Sequence, residues 1–492
     1  MENYQYHIFS PYRVCPLGAH VDHQHGLVTG FAIDKGVDLW FSVNGSSQID
    51  NGELTIDNYP ENHVHRQIDN GKLTIDNYPE NHVHRQIDNG KLTIDNYPKN
   101  HVHRQIDNGE LTIDNYPENH VHRQIDNGEL TIDNYTENHV HRQIDNGELT
   151  IDNYPENHVH LESKTFEGVV DFDIATPTLV KQGNWGDYAR GAKFALQKRF
   201  KLQTGITGTI KGSLPVGGLS SSAAVLIAYV MAFAKANNIT LAPFEVMKIA
   251  SEAEREYIGL NNGLLDQACI ALGKKNHLLM LDCESDEYRV IPKPAEMPDF
   301  ELGIFFSGLT RSLISSDYNL RVTECKTAAW TVQAYENVPL KTHDKTFLRD
   351  VPESMFKRNR DKMPPRFARR AEHFYGEHKR VREGITAWES GNLEWFGSLV
   401  KASCESSIHN YECGSPELIA IYEAMLTTDG IYGGRFSGAG FKGACIALVD
   451  PTKKEQIEKE ITEKYLAKFP QYKNTFKVFF CKSDDGSRFL DN

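Results

Sequence analysis

The sequence predicts an α+β protein built in two halves. Strand-like and helix-like segments occur in blocks, as strands, then helices, then strands, and this order favours α+β halves over a TIM barrel. Residues 292–298 contain three prolines and are typical of a linker between domains. In the first half, two glycines and three serines within residues 217–222 precede a long apolar helix, which indicates a candidate anion site.

The first half is predicted to hold several short strands and four helices. Strand patterns cover 6–9, 30–36, 37–43, 165–174, 208–212, 278–281 and 288–291, and helix patterns cover 185–200, 223–236, 243–257 and 263–272. The second half is predicted to begin with a strand at 300–306. Helices are expected at 316–335, 365–383, 393–408 and 416–426, followed by strands at 444–449 and 476–480 around a helix at 453–465.

Six near-identical copies of a 19-residue unit occupy residues 48–161. Each unit has an Asn-Gly pair between short apolar runs and only five large apolar residues, which favours transient hairpins and is poor for a packed core. We therefore expect a mobile or weakly structured insert, with a β-solenoid as the alternative. Each copy carries a His-Val-His pair. No Cys, Asp or third His lies at ligand spacing, so no metal site is expected there.

Composition and charge exclude several classes of protein. The chain has 492 residues, 39% hydrophobic and 24% charged, as expected of a globular protein. The six repeats carry −13 of the formal net charge of −14, so the rest of the chain offers no electrostatic case for nucleic acid or membrane. No signal peptide or membrane span is expected. Eight scattered cysteines without a Cys-x-x-Cys pair indicate reduced thiols and a cytoplasmic protein.

Residues 215–224, Pro-Val-Gly-Gly-Leu-Ser-Ser-Ser-Ala-Ala, join a predicted strand to the apolar helix. Unpaired N–H groups and the positive end of the dipole at a helix start suit a phosphate. Gly217 and Gly218 lack a Cβ, so the backbone can approach an anion, and the hydroxyls of Ser220, Ser221 and Ser222 can bond phosphate or metal. An ordinary serine N-cap after a glycine turn is the alternative.

Two other nucleotide-binding patterns are excluded. No Gly-x4-Gly-Lys-Ser/Thr sequence occurs, so the chain has no P-loop. Residues 438–443 match Gly-x-Gly-x-x-Gly but lead into a strand-like run rather than a helix, so a dinucleotide fold is not expected.

Two carboxylates have the chemistry that phosphoryl transfer needs. Asp266 lies in an otherwise apolar helical run, where a carboxylate is costly unless it has partners. Glu254 lies one helix earlier. Asp266 can accept the proton of a nucleophile and Glu254, with a serine hydroxyl, can hold a metal ion. Capping or salt-bridging roles are the alternative for both.

Taken together, residues 13–26, 215–224 and 435–443 resemble the three motifs of the GHMP kinase superfamily, and residues 10–23 and 407–415 resemble its galacturonokinase branch. The resemblance covers the chain apart from the repeats. It implies a two-domain fold with the active site between the domains. We expect an ATP-binding domain at 1–47 and 162–296, the repeats inserted at 48–161, and a second domain at 297–492.

The resemblance also implies roles for individual residues. Asp266 is expected to be the catalytic carboxylate with Arg13 as its partner, and Ser221 (or Ser222) and Glu254 are expected to hold Mg²⁺. The remaining expectations concern binding: ATP phosphates at Pro215, Gly217, Gly218, Leu219, Ser220, Ser221 and Ser222; adenine at Trp185; and the sugar at Ala19, His20, Asp22, Gly263 and Tyr318, with Gly438 on the far wall.

One departure from the galactokinase pattern bears on the substrate. Galactokinases carry Glu where this chain has Ala19, and that Glu contacts the 6-hydroxyl of the sugar. Two carboxylates in a small site repel, so Ala19 favours a C6 carboxylate in the substrate. His23, where galactokinases have Tyr, is expected to add a hydrogen-bond donor.

We therefore expect an ATP- and Mg²⁺-dependent kinase that phosphorylates D-galacturonate at its anomeric hydroxyl. No nucleic acid, membrane or obligate protein partner is expected. The alternatives are a galactokinase or another GHMP sugar kinase, and a catalytically silent sensor of sugar and ATP. Retention of Arg13, Glu254 and Asp266 argues against the silent sensor.

Overall fold

A computed structural model describes residues 4–44, 65–68, 71–76, 83–95, 102–113, 121–132, 140–144, 149–151, 156–215, 217–260, 263–309 and 315–490. Between 65 and 151, and at 315–317, only the backbone is described. Within these ranges no helix is both long enough and apolar enough to cross a membrane.

The described strands and helices occur in blocks, as expected of an α+β protein. In the first half and the repeats they are β1 (Tyr6–Val14), β2 (Leu27–Val43), β3 (His65–Ile68), β4 (Gly71–Asp76), β5 (Val83–Asp95), β6 (Val102–Ile113), β7 (Val121–Ile132), β8 (Val140–Ile144), β9 (Leu149–Ile151), β10 (His158–Ser163), β11 (Val169–Asp173), α1 (Asp187–Gln197), β12 (Ile206–Gly212), α2 (Ser221–Ala236), α3 (Pro243–Glu252), α4 (Leu265–Leu272), β13 (His277–Asp282) and β14 (Tyr288–Pro292).

The second half also combines strands with helices, and its helices include longer ones. Its elements are β15 (Glu301–Phe306), α5 (Ser315–Tyr335), α6 (Glu353–Asn359), α7 (Pro365–Glu389), α8 (Leu393–His409), α9 (Pro416–Leu426), β16 (Ile431–Phe436), β17 (Ala444–Val449), α10 (Lys454–Lys468), β18 (Lys477–Cys481) and β19 (Arg488–Leu490).

An eight-stranded sheet forms the first half. Its main path runs β11-β10-β12-β2-β1-β19, and β13 pairs with the beginning of β2 and with β14. Helix α2 packs on β1 and β2, and α1, α3 and α4 pack around it. Ala223, Leu226, Ile227 and Phe233 of α2 are all fully buried, because an almost wholly apolar helix is stable only inside a core.

The strands at the start of the chain are longer than predicted. Residues 30–36 and 37–43 were expected to form two strands, but they belong to the single strand β2. Strand β1 extends to Val14 and so includes Arg13, which lies beyond the strand predicted at 6–9. The register of β1 against β2 shifts between Pro11 and Arg13. Such irregularities redirect side chains and are common beside active sites.

A four-stranded antiparallel sheet, in the order β16-β17-β15-β18, organises the second half. Strand β16 and the terminal β19 were not predicted. Strand β19 pairs with β1, so the last residues of the chain return to the first sheet rather than remaining with the second half. The predicted helix at 243–257 ends as α3 at Glu252, and a π-helical turn follows at Ala253–Ile258.

The described strands of the repeats form a separate seven-stranded parallel sheet. Each residue pairs with its equivalent 19 positions away, as Val83 with Val102 and Val102 with Val121. Strand β5 runs through Asn89 and Gly90 without turning. The expectation of a weakly structured, hairpin-forming insert is therefore wrong for these strands, and the solenoid alternative agrees with them. Stacked copies supply the backbone hydrogen bonds that one unit lacks.

The sixth repeat copy is shared with the first sheet. Its residues 158–161 form part of β10, which pairs with β11 and β12. This places His158 and His160 beside Asp171 of β11, whose Oδ1 hydrogen-bonds with both imidazoles. The repeat itself has no third ligand at ligand spacing, but in this copy strand pairing brings in Asp171 from outside the repeat. The pairs of the other copies lie outside the described side chains.

Candidate active site

Arg13 and Asp266 form the centre of the candidate active site. Arg13 Nε donates a hydrogen bond of 2.7 Å to Asp266 Oδ1, and Arg13 Nη1 donates to Gly218 O at 3.1 Å. Asp266 lies in the first turn of α4, where the helix dipole favours a carboxylate. Burial acts to lower the pKa of Arg13, but the Asp266 carboxylate raises it above its usual value, so the guanidinium stays charged.

The second oxygen of Asp266 is held by Ser220. The Ser220 hydroxyl donates to Asp266 Oδ2 at 2.5 Å. Ser220 has a left-handed backbone with φ 57°, a strained conformation for a residue with a side chain and one that is concentrated at functional sites. Ser220 is expected from its motif to bind the ATP phosphates. In the structure its hydroxyl is directed to the carboxylate instead.

The glycines of the second motif pack against the third motif. A Cβ on Gly218 would lie 3.1 Å from the backbone atoms Ser437 O and Ala444 N, and a Cβ on Gly443 would lie 2.9 Å from Gly217 C. Gly218 and Gly443 also have φ of 79° and 94°, which disfavour any side chain. Gly438 approaches Gly218 in the same way. These glycines let the two halves of the molecule meet, backbone to backbone, beside Arg13.

A cavity of about 580 Å³ opens beside the start of α2. Ser221 and Ser222 line it together with Trp185, whose Nε1 donates to Glu167 O at 3.2 Å. Most of its other walls are aromatic or aliphatic, including Tyr12, Phe166, Tyr188, Leu214, Val225 and Tyr229. An apolar cavity that ends at a helix N-terminus has the form required for a purine carrying phosphates. The structure thus brings Trp185 to the serines, although more than 30 residues separate them.

Glu254 is a buried acid beside helix α4. It lies in the π-helical turn, a feature common at functional sites, and is 1% exposed. Gln267, the residue after Asp266, donates its side-chain amide to Glu254 Oε2. Burial first, and then the charge of Glu254, raise the pKa of Tyr188, which lines the cavity beside Ser221. The charge of Glu254 is therefore felt by a residue that lines the cavity.

The residues expected to hold the sugar surround Asp266. A Cβ on Gly263 would lie 2.5 Å from Asp22 Cβ, so only glycine lets the segment before α4 pack against Asp22. Burial, and then the charge of Asp266, raise the pKa of Asp22 to about 6. Burial, and then the charges of Asp22 and Asp266, raise the pKa of Tyr318 on α5. Three elements distant in sequence therefore bring Asp22, Asp266 and Tyr318 within range of one another's charge.

Two histidines of the first motif are neutral and bound to the second half. The His20 ring stacks on Tyr411 with centroids 4.3 Å apart, and burial keeps the pKa of His20 well below its usual value. Gln24 Nε2 donates to His23 Nδ1 at 2.9 Å. Burial lowers the pKa of His23 to about 3, so its Nε2 carries the proton and donates to Tyr411 Oη at 3.2 Å. Both ring nitrogens of His23 have protein partners, so His23 offers no free donor to a sugar in this arrangement.

Ala19 lies in a buried turn held by helix α7. Its carbonyl oxygen accepts a hydrogen bond from His373 Nε2 at 2.9 Å, and the neighbouring Gly18 N–H donates to Glu377 Oε2 at 2.8 Å. Ser403 Oγ also donates to Glu377 Oε2, at 3.0 Å. The backbone on either side of Ala19 is thus fixed by side chains from the second half.

Several side chains at the site were not singled out by the sequence. Ser437 Oγ donates to Gly218 O at 2.5 Å, and its position within the third motif is a signal that could have found it. Glu377 and Gln267 carried no such signal, because a polar residue on a helix is usually solvated. Of the expected phosphate ligands, Pro215 is exposed, and Leu219 buries its side chain while its carbonyl accepts from the Arg13 N–H at 3.3 Å.

A carboxylate held by an arginine, beside a cavity at a helix N-terminus, is an arrangement that suits phosphoryl transfer to a small molecule. Comparisons with known proteins agree. The profile of the GHMP kinases N terminal domain matches residues 187–274, and that of the GHMP kinases C terminal domain matches residues 383–467.

Relatives and solved structures extend the match to nearly the whole chain. The chain is 32% identical to the galacturonokinase of Arabidopsis thaliana over 98% of its own length and 93% of that protein. It is 32% identical to a galactokinase of Clostridium perfringens over 61% of its length and 76% of that protein. The structure of Lactococcus lactis galactokinase complexed with galactose superposes with a TM-score of 0.70, at 21% identity, covering 99% of this chain and 95% of that one.

The chain belongs to the GHMP kinase family. It is a sugar kinase of that family, a phosphotransferase.

Proposed function

We propose that this chain transfers the γ-phosphoryl group of ATP to the anomeric hydroxyl of D-galacturonate, forming galacturonate 1-phosphate and ADP. The observation that carries the chemistry is the contact between Arg13, Asp266 and Ser220 at the junction of the two halves. The substrate assignment is supported by the Arabidopsis galacturonokinase, which matches along nearly the entire chain, and by Ala19.

Asp266 takes the role of general base in this proposal. Its carboxylate accepts the proton of the anomeric hydroxyl while that oxygen bonds to the γ-phosphorus and the bond to ADP breaks. The charged Arg13 holds one carboxylate oxygen and Ser220 the other, so the base is fixed in orientation before substrate binds. Arg13 also places positive charge beside the transferring group, where charge on the phosphoryl oxygens needs stabilising.

The nucleotide is proposed to occupy the 580 Å³ cavity, with adenine near Trp185 and phosphates at the start of α2. Gly217 and Gly218 leave backbone N–H groups near that helix start without side chains in the way. Because the Leu219 side chain is buried, this residue contributes backbone shape rather than a side-chain contact.

The residues near the phosphates fit a magnesium ion. Glu254 supplies a buried carboxylate, and Ser221 or Ser222 a hydroxyl, and such oxygen donors are those that Mg²⁺ prefers. When bound, Mg²⁺ neutralises phosphate charge. Gln267 positions Glu254 by donating to Oε2.

The sugar pocket already contains the negative charges of Asp266 and, above pH 6, of Asp22. A further acid at position 19 would add charge where the C6 carboxylate of a uronic acid is proposed to lie. Ala19 removes that conflict. A galactokinase is the second candidate, since the Lactococcus enzyme shares the fold, but the galactokinase pattern has Glu where this chain has Ala19.

A coupled ADP-release assay tests the proposal. Purified full-length chain is supplied with ATP, Mg²⁺ and, separately, D-galacturonate, D-glucuronate, D-galactose and D-glucose. The expected result is the highest kcat/KM with D-galacturonate. A higher kcat/KM with galactose would assign the chain as a galactokinase. ATP and sugar binding without turnover on any sugar would favour the silent sensor.

A further inference from the structure

Strand β10 presents two histidines on one face of the first sheet. Val159 and Leu161 are fully buried, so the alternation of a β-strand directs His158 and His160 to the opposite, solvent-facing side. His158 and His160 are separated by one residue, and imidazoles two positions apart along a strand can reach a common point above the sheet.

Strand β11 adds a carboxylate at the same point. It pairs antiparallel with β10, and Asp171 lies directly opposite His160. Asp171 Oδ1 is 2.8 Å from His160 Nδ1 and 3.0 Å from His158 Nε2. The three candidate ligand atoms lie within 4.8 Å of one another. Two independent elements, the last repeat and the strand after it, thus converge on one small cluster.

We propose that His158, His160 and Asp171 form a binding site for a divalent transition-metal ion of the Zn²⁺ or Co²⁺ class. Two imidazoles and one carboxylate match the ligand preference of these ions, whereas Mg²⁺ and Ca²⁺ take oxygen ligands. Three protein ligands leave a fourth position for water. This site is separate from the proposed magnesium site of the kinase, which is built from oxygen donors.

Geometry and exposure allow an ion to enter. The side chains of His158, His160 and Asp171 are 25%, 17% and 50% exposed, so water and metal reach them. Ligand atoms around a tetrahedral zinc ion lie about 3.3 Å apart, given metal–ligand bonds of about 2.0–2.1 Å. The separations of 2.8 and 3.0 Å between Asp171 Oδ1 and the two imidazole nitrogens therefore need to widen by only a few tenths of an ångström. The two imidazole nitrogens, which lie within 4.8 Å of each other, need to reach the same spacing. Rotation of exposed side chains supplies such a movement.

Calorimetric titration of the full chain with ZnCl₂, together with visible absorption of the Co²⁺ form, tests the site. One ion is expected to bind most tightly, and Asp171→Asn is expected to weaken that binding by more than roughly tenfold, because losing even a hydrogen-bond partner behind a ligand costs about 10–100-fold. Two control variants should retain the tightest zinc binding. One is Glu162→Gln, which removes the next charge along β10, and the other is a His139→Gln/His141→Gln double variant, which removes a His-Val-His pair from another repeat.

Two results would overturn the proposal. One is the absence of zinc binding by the wild-type chain, and the other is an unchanged tightest site in Asp171→Asn. If Asp171→Asn fails to fold, judged by circular dichroism and kinase turnover, His160→Gln tests the same ligand set. Zinc is also expected to raise the Tm of the wild-type chain and not that of the folded ligand variants, since an ion that binds only the folded state stabilises it.

Discussion

Arg13 Nε donates to Asp266 Oδ1 at 2.7 Å and so joins the first strand of the protein to a helix 253 residues later. The contact depends on two local features. The register shift in β1 precedes Arg13, and Asp266 lies in the first turn of α4. The proposed reaction needs both side chains at the same place. Substituting Asp266 therefore tests the proposed chemistry directly.

Asp266→Asn is expected to lower kcat by at least roughly a hundredfold with the preferred sugar, because the amide cannot accept the proton of the attacking hydroxyl. The fold and ATP binding should persist, since Asn retains the shape and can still accept from Arg13. The measurements are turnover, nucleotide binding and Tm. Asp299→Asn, which neutralises a carboxylate whose side chain is 93% exposed, serves as the control. Near-normal turnover in folded Asp266→Asn would remove Asp266 from the mechanism.

Ala19→Glu is expected to change the ratio of kcat/KM for galacturonate to that for galactose by more than roughly a hundredfold, in favour of galactose. A like-charge clash in a partly desolvated site is worth several kcal/mol. Galactose has a neutral C6 hydroxyl, which can donate to the new carboxylate. Absolute galactose activity is expected to stay poor, because donors that serve the C6 carboxylate would lose their partner.

Ala19→Gln separates charge from size in that experiment. Position 19 is only 6% exposed, so any longer side chain crowds the turn held by His373. Crowding alone should affect Glu and Gln variants equally, whereas charge repulsion affects only Glu. Equal ratios in the two variants would show that Ala19 does not act through the charge at C6, and an unchanged ratio in Ala19→Glu would show that it does not face C6.

Asp22→Asn is expected to stabilise the fold while weakening sugar binding. Burial and the charge of Asp266 raise the pKa of Asp22 from 3.8 to about 6, so the folded state binds this proton more tightly than the unfolded state. Ionisation of Asp22 therefore lowers stability as pH rises from about 4 to 6, and the loss persists above pH 6. Removing the charge should recover about 2–3 kcal/mol at pH 7.

The Asp22 experiment compares unfolding free energies of wild type and variant across pH 3.5–7.5. Their difference should grow between pH 4 and 6 and then level off, while KM for the sugar rises in the variant. A difference that is constant over this range would contradict the raised pKa. An unchanged KM would remove Asp22 from the sugar pocket.

Two deletions test the boundary of the repeats. Joining Ser47 to Glu156 removes residues 48–155 and keeps β10, and this variant should retain kinase activity, because loop length has little effect on stability. Joining Ser47 to Glu162 removes 48–161, the whole repeat array, and with it Val159 and Leu161, which are fully buried. Each such side chain contributes about 1.5–3 kcal/mol, so this variant should be insoluble or inactive. Solubility, circular dichroism and turnover distinguish the two, and equal activity would place the boundary at residue 161.

The sequence by itself determined the family, the α+β class and the residues of the three motifs. The local sequence is enough for these predictions. A glycine–serine turn before an apolar helix, or a strand of alternating apolar and polar residues, can be recognised within a stretch of about ten residues. Most predicted helices begin and end within a few residues of the observed ones, as α9 at Pro416–Leu426 and α5 at Ser315–Tyr335 illustrate. The 19-residue repeat unit was also visible in the sequence, but the parallel pairing of its strands was not.

Only the tertiary structure decided which of these residues meet. Ser220 has a phosphate ligand's sequence context, but its left-handed backbone directs the hydroxyl to Asp266. Gly218 and Gly443 are required by the contact between the halves, and Asp171 joins two histidines of a repeat through strand register. Each of these relationships depends on the packing of segments far apart in the chain. A sequence pattern reveals the local structure of residues within one turn or strand. Contacts between distant segments are established only when those segments pack into one core.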